Sequence, residues 1–178
     1  MRRACWIVAV LATAVLTGLA AQLPGLGASA GGQEPVTIAS GVSKIARWEL
    51  YARTPKPGRR CLGMRLEQLW DATASARRER CGAQRLARGA VTLQTLAAPG
   101  MGSFAYGRAG RRVGEVLVHV GVGAPVTAGT LPSPLGGRDR FWVVPAGLSC
   151  APVSVQALGV RGTARGTRSG RIGPRGCG

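Results

Sequence analysis

One histidine, His119, and seven acids, Glu34, Glu49, Glu67, Asp71, Glu79, Glu115 and Asp139, make up the acid–base chemistry of the 178-residue chain. A hydrolytic serine needs a base and a group that orients that base, and His119 is the only imidazole that could serve. It lies in Glu115-Val116-Leu117-Val118-His119-Val120, where Val116, Val118 and Val120 share a face and His119 takes the other. That pattern reads as a solvent-facing sheet histidine. No G-x-S-x-G motif occurs, and Ser103 sits in Met101-Gly102-Ser103-Phe104-Ala105. A glycosidase pair would have to come from the seven acids. Several adjoin arginines, as in Glu79-Arg80 and Asp139-Arg140, where a solvated ion pair is the ordinary role. The P-loop and a strand-coupled dinucleotide fingerprint are absent, so no cofactor is implied.

Cys61, Cys81, Cys150 and Cys177 follow the N-terminal apolar segment, and Cys5 precedes it. No two of these four are two to four residues apart, so the paired-cysteine half of a structural zinc site is missing. In an oxidising compartment an even count points to bridges, and four cysteines allow three pairings. Cys61 and Cys81 flank a segment that doubles back and are expected to pair. A Cys150–Cys177 bridge follows by elimination and would tether a tail rather than brace a core; the alternatives are an unpaired Cys177 or an intermolecular bridge.

Charge is the strongest remaining signal, with 24 Lys and Arg against 7 Asp and Glu and a formal net charge of +17. Of the basic residues only Lys44 and Lys56 are lysines, a bias that GC-rich coding produces as readily as selection for guanidinium chemistry. Basic residues are dispersed as Arg59-Arg60, Arg77-Arg78-Glu79-Arg80, Arg111-Arg112, and Arg138 with Arg140. Such a field concentrates polyanions, and Arg77, Arg78, Arg80, Arg111 and Arg112 are the candidate contacts on the folded part. Arg161, Arg165, Arg168, Arg171 and Arg175 extend the set into the C-terminal stretch. Grooves for single-stranded nucleic acid interleave arginine with stacking aromatics, and this stretch has none. Sequence-specific nucleic-acid recognition is therefore not expected. The alternative is that the charge serves solubility or records codon usage.

The N-terminus runs from Arg2-Arg3 through an apolar segment, Trp6 to Ala21, to Ala28-Ser29-Ala30. That order is a secretory signal peptide over residues 1–30 with an A-x-A-like cleavage site. Retained, it would be a signal anchor, although a run of 16 residues falls below the roughly 18 to 20 of a spanning helix. Arg2-Arg3 alone is weak support for twin-arginine export. Removing 30 residues from 178 leaves 148, and losing Arg2 and Arg3 lowers the charge from +17 to +15. The expected location is secreted or associated with the cell envelope. The nearest polyanions there are anionic envelope polymers or lipid headgroups.

Short alternating runs must position these groups. Val36–Ala39, Ala46–Ala52, Cys61–Glu67, Val91–Leu96, Glu115–Val120, Phe141–Val144 and Val153–Ala157 each fit a short strand. Thr54-Pro55-Lys56-Pro57-Gly58 turns the second run into the third. Leu66, Leu69, Trp70 and Thr73 recur at helical spacing, so 66–80 reads as a short helix or a solvated loop. The prediction is an all-β domain over residues 31–160, an antiparallel sandwich or barrel of six to eight strands. Residues 161–178 hold five arginines and six glycines with almost no apolar side chain, and are expected to be disordered.

Trp48-Glu49-Leu50-Tyr51-Ala52, Cys61-Leu62-Gly63-Met64, Cys81, Tyr106-Gly107 and Phe141-Trp142-Val143 together resemble small exported β-domains of high-GC Gram-positive bacteria, whose function is uncharacterised. The resemblance spans about residues 45–160. It implies fold and export and transfers no catalytic residue, and the Arg/Gly tail departs from it. The sequence points to a non-catalytic exported β-domain, a basic binding module at the cell envelope. Its rival is a secreted hydrolase using surface carboxylates or His119.

Overall fold

The computed structural model describes residues 34–83, 85–147, 151–159 and 164–171. Twelve strands follow one another: β1 Val36–Val42, β2 Ala46–Lys56, β3 Arg59–Gln68, β4 Ser75–Ala83, β5 Gln94–Ala98 and β6 Gly102–Ala109; then β7 Val113–Val120, β8 Val126–Gly129, β9 Leu131–Pro132, β10 Arg140–Pro145, β11 Pro152–Gly159 and β12 Ala164–Arg171. They form three antiparallel sheets, in the orders β1-β2-β3-β4, β5-β6-β10-β9 and β12-β11-β7-β8. The fold is a small all-β sandwich.

Period-two alternation builds the first sheet as a meander. Leu50 lies opposite Met64, and Ala52 opposite Leu62. These residues, with Ala46 and Leu66, face Leu96, Ala98, Phe104, Tyr106 and Phe141 of the second sheet. Trp48 packs on Phe104 with ring centroids 5.6 Å apart. A second core joins Ala105, Ala109, Trp142 and Val144 to Val116, Val118, Val153, Val155 and Ala157 of the third sheet. The β5-β6-β10-β9 sheet therefore has a core on each face.

Strand β6 shows how that is written in sequence. Phe104 and Tyr106 fill the core shared with the first sheet, and the small Ala105, Gly107 and Ala109 turn toward the other. Trp142, paired with Gly107 across the strands, occupies the space their size leaves. A Cβ at Gly107 would lie 1.9 Å from the Thr92 carbonyl oxygen.

The helix or loop expected over 66–80 is instead a β-hairpin. Leu66 belongs to β3, the chain reverses at 69–74, and β4 starts at Ser75. Gln68 N donates to Ala74 O at 3.0 Å. Inside the turn Asp71 accepts from the backbone and the hydroxyl of Thr73. The helical spacing mixed a strand residue, Leu66, with Leu69 and Trp70, which are exposed on the turn. Cys61 and Cys81 stand directly opposite on β3 and β4 and are disulfide-bonded, as expected.

Part of the C-terminal stretch expected to be disordered is a strand. β12 pairs with β11 from Pro152↔Arg171 to Leu158↔Ala164. Main-chain pairing needs no apolar side chains, and β11 supplies the buried residues of that hairpin. The 1–30 leader, Cys150, Cys177, Arg161 and Arg175 lie outside the described residues.

Candidate functional site: an arginine-lined cavity

Arg60 has the same strand parity as Leu62, Met64 and Leu66, so β3 carries it toward the core at the end of the sheet. Arg108 shares parity with Phe104 and Tyr106 and lies opposite Phe141 on β10. The two guanidinium groups thus come from facing sheets to one end of their shared core. Their counter-charge is Asp139, immediately before β10. Arg108 Nη2 donates to Asp139 Oδ2, and Arg108 Nη1 donates to Ala83 O at 2.6 Å. Arg60 Nη1 lies 3.9 Å from Asp139 Oδ2 and donates to Ser133 Oγ at 3.2 Å. Its Nη2 donates to Gly136 O at 3.3 Å. The Arg60 side chain is only 3% exposed, and burial lowers its pKa, with Asp139 opposing that shift and Arg108 adding to it.

Over this buried trio the chain lays three irregular segments. Leu86 N donates to Asp139 Oδ1 at 3.5 Å. The loop ahead of β5 is joined to the β6–β7 turn by Gly110 N to Ala90 O, 2.8 Å, and Arg112 N to Arg88 O, 2.9 Å. Gly110 is required by that approach, because a Cβ there would lie 2.1 Å from Ala87 O. Between these segments and the loop before β10 lies a cavity of about 600 Å³. Arg60, Arg85, Arg88, Arg111 and Arg138 line it, with Leu86, Gly137 and Asp139.

Arg85, Arg88, Arg111 and Arg138 are exposed and make no side-chain hydrogen bond or ion pair among the described residues. They act on one another. The charge of Arg88, followed by desolvation and the charges of Arg138 and Arg112, holds the Arg111 guanidinium below its ordinary pKa. Crowded like charge of this kind favours an anion among the side chains.

The arginines singled out by sequence have divergent fates. Arg77 donates from Nε to the Tyr51 hydroxyl at 2.6 Å and stacks over that ring with its Cζ 5.1 Å from the centroid. Its Nη2 also reaches Glu79, whose principal partner is Arg53. Arg78 donates to Thr95 O. Arg80, Arg112 and Arg168 are exposed, while Arg165 and Arg171 are β12 positions. Of the described members of the set, Arg111 alone lines the cavity. Arg60, Arg85, Arg88 and Arg138 were not among the candidates. Arg60 carried a usable signal, a charge at an inward strand position, whereas the other three sit on loops without periodicity.

His119 stands opposite Ser154 on the face of β7 away from Val116 and Val118, half-buried. It makes no side-chain hydrogen bond or ion pair among the described residues. Glu49 accepts from Thr37, and Glu67 lies 3.8 Å from Arg65. Ligand atoms of Cys61, Glu79 and Cys81 fall within 4.8 Å of one another, but the two sulfurs are bonded together and offer no thiolate to a metal. No protein family, curated protein or solved structure matches the chain.

Proposed function

We propose that the protein is a non-catalytic, exported binding module that engages an anionic polymer of the cell envelope through the arginine-lined end of its sandwich. One observation carries this reading. Five arginines surround a single cavity, and its only acid, Asp139, is held by Arg108 and Arg60 at the buried side. Four exposed guanidinium groups are left without a counter-charge among the described residues. The Cys61–Cys81 bridge is in keeping with export, since such bonds persist in oxidising compartments.

The test is binding of the purified protein to immobilised polyglutamate across a salt series. Affinity should fall steeply with salt, as for other associations driven by counterion release. Arg88→Glu with Arg111→Glu should weaken it by about tenfold or more, which corresponds to about 1.4 kcal/mol. Arg80→Glu, on the first sheet, should change it little. Equal loss from Arg80→Glu and from the cavity pair would overturn the assignment of the site.

A further inference from the structure

We infer that the cavity is built for a compact oligophosphate group, two or three phosphates joined in one chain. The inference rests on reading the cavity as an anion site and names the anion. Charge density is the first argument. The lining arginines exceed its acids by four, five against one, within about 600 Å³. A space of that size holds a ligand of small-molecule dimensions. Negative charge concentrated on a few adjacent atoms matches that wall most closely.

Hydrogen-bond chemistry is the second argument. Guanidinium groups only donate, and they match phosphate oxygens in bidentate geometry. The one carboxylate in the wall already accepts from Arg108 and Leu86. A hydroxyl-rich glycan needs acceptors as well as donors, and these side chains offer it almost none. Among the described residues no aromatic side chain lines the cavity, so they offer a base or sugar ring no stacking surface, whereas a phosphate chain needs none. Arg60 also retains an unfilled donor, because its buried Nε has no hydrogen-bond partner.

Calorimetric titration of the full protein at fixed ionic strength tests this with orthophosphate, pyrophosphate, tripolyphosphate, citrate and polyglutamate. Affinity should rise about tenfold at each added phosphate, and tripolyphosphate should exceed citrate by at least about tenfold. Arg88→Gln with Arg111→Gln should remove that preference. The same loss of charge in Arg47→Gln with Arg80→Gln should leave it intact. Both pairs are exposed, and an unchanged thermal midpoint checks that each variant folds. Two further arms identify the source of the phosphate chain. Retention on vesicles carrying a lipid-linked diphosphate, but not on phosphatidylglycerol vesicles, assigns a headgroup. Binding of soluble tripolyphosphate without retention assigns a free oligophosphate, and either result supports the inference. If polyglutamate binding depends on Arg88 and Arg111 while tripolyphosphate binds no better than citrate, the oligophosphate assignment is overturned and the anion site stands. Should the cavity variants leave all binding unchanged, both fall.

Discussion

Arg108 on β6 and Asp139 ahead of β10 form an ion pair that is almost entirely withdrawn from solvent, and Arg60 approaches the same carboxylate from the facing sheet. One acid thus offsets two guanidinium groups. Desolvating such a cluster is unfavourable unless every member keeps a partner, so its contribution lies in fixing where the two sheets end. The loop that carries Arg85 and Arg88 rests on it through the Leu86 amide.

Asp139→Asn should consequently destabilise the protein by about 3–5 kcal/mol, the range for removing one member of a buried pair. The urea midpoint reads this directly. A loss below about 1 kcal/mol would mean that Arg108 finds solvent or another acceptor.

Gly107→Ala tests the layered packing. The added methyl would meet the Thr92 carbonyl oxygen and the Trp142 indole, two groups fixed by the middle sheet. Overpacking of this kind costs about 1–3 kcal/mol, and a backbone obstacle places the substitution at the upper end. Thermal unfolding would show it, together with altered near-ultraviolet circular dichroism from Trp142.

The outer face of the first sheet predicts an acid-sensitive increment. Hydrogen bonds from Arg53 hold the Glu79 carboxyl below its ordinary value of 4.5, with burial opposing them. The folded state therefore binds this proton more weakly than the unfolded state. Its stabilisation is full above the ordinary value and is lost as pH falls through the depressed one. Glu79→Gln should lower stability by about 1 kcal/mol at neutral pH. That gap between the urea midpoints of variant and wild type should close on acidification, and a gap constant with pH would refute the assignment.

Truncation after residue 160 removes β12 and leaves the main-chain groups of β11 unpaired along one edge. The truncated protein should unfold at lower urea concentration. It should also self-associate, because an open edge is a template for another strand. Size-exclusion chromatography at several concentrations separates this from a purely local loss.

The parts of the fold legible in sequence were those where one strand face is apolar and the other polar. β2, β3, β7 and β11 declared themselves by that alternation, and Cys61 with Cys81 by flanking a reversal. β6 was hidden because both its faces are buried, so its alternation is large against small in Phe104-Ala105-Tyr106-Gly107. β4 and β12 are edge strands whose pairing depends on the main chain of a neighbour. The cavity was illegible for a different reason. Arg85, Arg111 and Arg138 belong to three separate connections, and only closure of the sandwich brings them to one place.

The two ends of the first sheet are unlike, and this has an optical consequence. Arg60 marks one end, while Val42, Leu69 and Trp70 are exposed at the other, about 30 Å away along the ten residues of β3. With the cavity end seated on an anionic surface, as proposed above, the opposite end of the sheet faces solvent. The Trp70 indole then points back into bulk water. Collisional quenchers added to the adsorbed protein would continue to reach that ring, while Trp142, sealed between sheets, would keep its emission.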